Sequence, residues 1–186
     1  MLKNKNFTAY LVKFLFFFCL LYFGTLLWIG ITTPGGVYFS FADKYFDYIS
    51  FLRKSIIGGA RFFLSAMNYD TVMEGEYNVR LKNGYGIHMV YSCLGYGIMS
   101  FWAAFVIANT GSVKKKISWV VAGFIIIWIL NVLRIALLIL ARNNKTTIFN
   151  GISHHTFFNI VAYLFVFLMM YLFDRSLKNH NSNNVL

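Results

Sequence analysis

Charge is what this chain has least of. Only 12% of its 186 residues are charged, and acids are the scarcer kind, 6 against 17 basic residues. Hydrophobic residues make up 59% and aromatics 20%. That is far too apolar for a soluble domain of this length, so composition specifies an integral membrane protein. Cysteine is scarce too. Cys19 and Cys93 are the two present, neither with a CxxC partner, which excludes a disulfide framework or a cysteine-type zinc site. No HExxH, GxSxG or glycine-rich phosphate loop occurs. The net charge of +11 does not indicate nucleic acid. The cations flank greasy runs, where positive-inside bias and lipid headgroups account for them.

What is present is a series of long apolar runs. Spanning a bilayer takes about 20 mostly apolar residues. Residues 10–31 meet this after the basic start Lys3 and Lys5. With no small-residue cleavage site, they read as a retained span rather than a signal peptide. Pro34-Gly35-Gly36 then breaks the helix. Further spans are expected over 87–109, 117–140 and 156–173, separated by Lys114-Lys115-Lys116 and by Arg142 to Lys145. A polar tail follows Asp174-Arg175.

Residues 39–67 are different, with Asp43, Lys44, Asp47, Arg53, Lys54 and Arg61 among aromatics and aliphatics. Positions 43, 47, 50, 54, 58 and 61 form a polar or small stripe at helical spacing, as in an amphipathic helix lying along the interface. A fifth span is the alternative, against which the cost of centring so many charges weighs. Residues 77–81 and 85–90 flank Asn83-Gly84, a hairpin signal. The expected fold is an all-α integral membrane protein of about four transmembrane helices, one extracytoplasmic amphipathic interfacial helix and a short β-hairpin. It forms a single membrane domain: an N-terminal span (1–36), an extracytoplasmic segment (37–86), a three-span core (87–173) and a cytoplasmic tail (174–186). Short basic loops put both termini and the lysine triplet in the cytoplasm, and 32–86 and 141–155 outside.

On that topology three polar features converge in depth. Cys93 lies about six residues into its span, roughly 9 Å deep. Arg134 lies about six residues before the outer end of the next, with Asn131 one turn below it on the same face. His154 and His155 stand at the mouth of the last, with Asn159 one turn after His155. A thiolate is a competent nucleophile, favoured by a nearby cation. A histidine can move its proton to a leaving amine, and an arginine can face a tetrahedral oxyanion. Acyl transfer on a peptide bond follows. Each residue also has a bland reading: a cysteine as a small hydrophobe, an arginine snorkelling, histidines at an interface. Cys19 is read that way, and the aromatics as belt and core.

The stretch Val90-Tyr91-Ser92-Cys93-Leu94-Gly95 resembles the cysteine motif of the exosortase/archaeosortase family. Asn131-Val132-Leu133-Arg134-Ile135 resembles its arginine motif, and His154-His155-Thr156-Phe157-Phe158-Asn159 its histidine motif. The resemblance covers about residues 70–173 and includes the hairpin. It implies a membrane-embedded cysteine transpeptidase, which cleaves C-terminal sorting signals (a motif, a transmembrane helix and a basic tail) outside the cytoplasmic membrane. Such enzymes are tied to exopolysaccharide or surface-protein systems. Carried over, Cys93 is the acyl-thioester nucleophile, Arg134 the proton donor or oxyanion stabiliser and His155 the base, with His154 as second choice. Leu94 departs from the small polar residue common there, and His154 from the acidic residue that often precedes the histidine.

Two other classes stay open: a non-catalytic partner in polysaccharide export or assembly, and a small transporter subunit with Arg134 lining a pathway. The chemistry needs no cofactor, and two adjacent histidines without companions make a poor metal site. The implied partners are sorting-signal proteins and the lipid bilayer, not nucleic acid. Nothing in the sequence sets the oligomeric state.

Overall fold

A computed structural model describes residues 2–33, 38–144 and 154–183, with side chains over 7–33, 38–143 and 157–177. It is mostly helical. In chain order the elements are α1 (Leu2–Thr32), α2 (Ser40–Phe46), α3 (Tyr48–Ala66), β1 (Thr71–Met73), β2 (Asn78–Leu81), β3 (Gly86–His88), a 3-10 turn (Tyr91–Leu94), α4 (Tyr96–Ala108), α5 (Val113–Asn144) and α6 (His154–Asn183). Among the described residues, three helices are long and apolar enough to cross a bilayer: Phe7–Thr32, Val113–Asn143 and Phe157–Leu177. The helix break expected at Pro34-Gly35-Gly36 falls outside the described residues, although α1 ends just before it.

The remaining expected span, 87–109, is shorter than its hydropathy suggests. β3 takes its first residues and the 3-10 turn takes the next, so α4 keeps 13 residues. At 1.5 Å per residue that is about 20 Å, well under a bilayer core of about 30 Å.

The expected interfacial helix is two helices. Asp47 separates them by capping α3, its carboxylate accepting the Ser50 N–H at 3.0 Å. At the start of α2, the Tyr38 hydroxyl donates to Asp43 Oδ2 at 2.7 Å. That bond to a carboxylate holds the phenol proton in place and raises Tyr38 above its ordinary value. The hairpin forms as expected and gains a third strand. The sheet is an antiparallel meander in the order β1-β2-β3, with Val72 opposite Arg80 and Val79 opposite Ile87. Met89 N–H continues the ladder to Tyr77 O at 2.9 Å.

The chain divides into two compact units. The first comprises Met1–Thr25, Tyr96–Ile127 and Ile160–Leu186; the second comprises Leu26–Gly95 and Trp128–Asn159. The first is built around Trp102, Val106, Ile127, Val166, Met169 and Phe173. Trp102 is fully buried, and its indole N–H donates to Trp119 O at 3.0 Å. Two lysines of the triplet act locally as well as through charge. Lys116 donates to Ile107 O at 2.9 Å, in the last turn of α4, where a cation suits the helix dipole. Lys115 donates to Ser176 O.

In the second unit, α3 buries Ile49, Arg53, Ile56, Ile57, Ala60 and Leu64, one face at helical spacing. Gly59 lets it approach α5: a Cβ there would lie 2.7 Å from Val132 Cγ2. Trp128 ties the same two helices, its indole N–H donating to Ser55 Oγ at 3.0 Å. The polar stripe expected on α3 leaves Lys54, Gly58 and Arg61 exposed, but Phe51 and Phe62 are also among its most exposed residues.

Candidate active site

The chain from β3 to α4 cannot continue as a helix, because the hairpin delivers it extended and Val90 is extended too. Four residues then tighten into the 3-10 turn, closed by the Cys93 N–H to Val90 O at 3.0 Å. Gly95 ends the turn in the left-handed region (φ 73°), which a side chain strains to adopt. Cys93 therefore does not sit six residues inside a straight span. It sits on a non-helical turn, buried at 7% exposure. Irregular backbone of this kind suits a membrane protein only where protein covers it, and here α3 and α5 supply the cover.

α5 holds the end of the turn. Asn131 is buried and donates from Nδ2 to Leu94 O at 3.0 Å. A Cβ on Gly95 would lie 2.5 Å from that nitrogen, so glycine is needed for space as well as for conformation. Arg134 is one turn further along α5 and equally buried, at 7% exposure. The turn bearing Cys93 is thus fastened to α5 one turn from a buried guanidinium. His154 and His155 open α6; their side chains lie outside the described residues, as does most of the 141–155 loop. No group of three or more potential metal ligands occurs among the described residues.

The family model for the transmembrane exosortase (Exosortase_EpsH) matches residues 6–172. The chain belongs to the transmembrane exosortase family. No curated protein and no solved structure matches it. Membership and the apolar helices together make this exosortase-family chain a membrane protein, and they make a cysteine peptidase its candidate activity.

Other residues around the turn escaped notice in the sequence. Arg53 looked like one more charge on an amphipathic helix, yet it is 4% exposed. Its guanidinium carbon stands 3.6 Å from the Tyr77 ring centroid and 4.8 Å from that of Tyr91, and its Nη2 donates to Met89 O. Tyr91 is the first residue of the cysteine turn, and its hydroxyl lies 3.0 Å from Thr33 Oγ1. By composition alone, aromatics such as Tyr77 and Tyr91 read as belt or core. A signal for Arg53 was available: it is off the polar stripe, four residues from Ile49 and from Ile57. Asn143, near the end of α5, clasps the hairpin's loop. It accepts the Tyr85 N–H at 2.6 Å and donates to Tyr85 O at 2.8 Å.

Proposed function

We propose that this exosortase-family protein is a membrane-embedded cysteine peptidase or transpeptidase. Its substrates are exported proteins with a C-terminal sorting signal: a short motif, a transmembrane helix and a basic tail. The observation that carries this reading is the buried Cys93 turn, fastened through Leu94 to Asn131 one turn from Arg134. Cys93 Sγ attacks the scissile carbonyl carbon. His155, or failing it His154, takes the thiol proton. Arg134 faces the oxyanion of the tetrahedral intermediate. On collapse the C–N bond breaks, the histidine returns the proton to the departing amine, and a thioester remains on Cys93. An acceptor nucleophile or water then releases the acyl group. The scheme uses no cofactor. The enzyme resides in the bacterial cytoplasmic membrane with Cys93 towards the extracytoplasmic side, serving an exopolysaccharide or surface-protein system.

The test is processing in cells. The chain, or its Cys93→Ala form, is co-expressed with a tagged protein bearing such a signal, and the tag's size is followed by immunoblot. Loss of the signal with the wild type alone supports the proposal. Equal processing by both forms removes Cys93 from its role.

A further inference from the structure

We infer that Arg53 is a positioning residue that holds the Cys93 turn in its reactive geometry. The inference rests on the proposed peptidase reading for its catalytic consequence, but not for its structural part. Arg53 is a buried cation, and among the described residues it has no carboxylate partner. Its Nε is buried with no hydrogen-bond partner there either. Removing a cation from water without an anion is costly, and stacking on two tyrosine rings offsets only part of that. A leucine or methionine would fill the same apolar face of α3 more cheaply. What a guanidinium does here is join segments that no aliphatic side chain could join.

Its contacts fall on both sides of Val90. Nη2 donates to the carbonyl of Met89, the residue that ends the hairpin's ladder. The flat face lies against Tyr77, which leads into β2, and Tyr91, which starts the turn. Tyr77 in turn reaches back to α3, its hydroxyl 3.0 Å from Ser50 Oγ. His88 adds a further neighbour, Nε2 at 3.5 Å from Nη2. Its Nδ1 faces Asn78 Oδ1 at 2.6 Å, so a proton there leaves the Nε2 lone pair for Arg53. The cysteine turn is therefore gripped twice, by Arg53 at its entry and by Asn131 at its exit, with Cys93 between the two grips. The contacts of Arg53 are with the backbone and rings that lead into the turn, so it acts through the backbone that carries the thiol.

The experiment uses the full chain in a Cys19→Ser background, so that Cys93 is the sole thiol. Arg53→Met is compared with its parent in three respects. These are the processing rate of the co-expressed tagged substrate, co-purification of that substrate with a Cys93→Ala trap, and labelling of Cys93 by N-ethylmaleimide in membranes. A misplaced nucleophile costs rate more than binding. We expect about a 100-fold fall in processing, co-purification unchanged within about twofold, and labelling altered by about tenfold as the buried turn loosens. Wild-type processing and labelling overturn the inference. So does a loss of processing matched by an equal loss of co-purification, the mark of a merely structural role. If Arg53→Met does not accumulate, Arg53→Lys decides: it keeps the charge and loses the planar stack, and about a tenfold loss of rate is expected. Full activity of Arg53→Lys overturns the inference. If the wild type processes nothing, the peptidase reading falls while the labelling comparison still judges Arg53.

Discussion

The two compact units bury different chemistry. Among the described residues, the buried polar or charged side chains are Thr32, Arg53, Ser100, Asn131 and Arg134. Ser100 belongs to the first unit; the other four, with both arginines, belong to the second. The first is held by rings and aliphatics, Trp102 against Phe105, Trp119 and Phe173. The second is held as much by directed bonds, such as Asn131 to Leu94 and Asn143 to Tyr85. Packing tolerates small shifts, because dispersion is non-directional. A buried hydrogen bond does not, since a group left without its partner forfeits its hydration as well. On the proposed reading, the unit that carries the reacting thiol is also the one in which most of the buried polar side chains lie.

That contrast can be broken in stages. The largest effect on activity is expected from Cys93→Ala: processing lost altogether, with the melting temperature in detergent unchanged. Trp102→Ala is its converse. Truncating a fully buried indole costs about 3–5 kcal/mol. We expect a marked fall in thermal stability, with processing per folded molecule largely kept. If activity per folded molecule collapses too, the division of labour is wrong. Asn131→Leu removes the donor to Leu94 O and leaves a buried carbonyl unpaired, at about 1–3 kcal/mol. Processing should fall more than the modest drop in melting temperature suggests. Gly95→Ala forces a side chain into the left-handed region at about 1–2 kcal/mol and crowds Asn131. A similar but smaller loss of processing is expected. Phe62→Ala, at one of the most exposed positions of α3, should change both readouts by under about 0.5 kcal/mol.

Much of the architecture was legible in the chain. Spans at 10–31, 117–140 and 156–173 follow from hydropathy alone, and the structure carries a long apolar helix over each. The Asn83-Gly84 hairpin follows from turn chemistry. The run from Ile87 onward misled, since a short apolar stretch reads alike as strand, tight turn or helix. Its first residues pair with β2 and the next form the 3-10 turn, and together these shorten α4. The third strand, β1, carries too weak a pattern to declare itself. Of the candidate site, Cys93, Arg134 and Asn131 are visible in the sequence because polar residues inside apolar runs stand out. Arg53 was hidden for the opposite reason: among other charges, a cation looks solvated.

The sequence by itself determined that this is a membrane protein, where its three long apolar helices lie, and that it resembles the exosortase family, because these rest on composition and local spacing. Tertiary structure decided the rest. It put Cys93 on a 3-10 turn rather than on a helix, laid Leu94 against Asn131, and buried Arg53 between two tyrosines. Each of those depends on segments tens of residues apart meeting in space, and no local pattern encodes which partner a buried polar group will find.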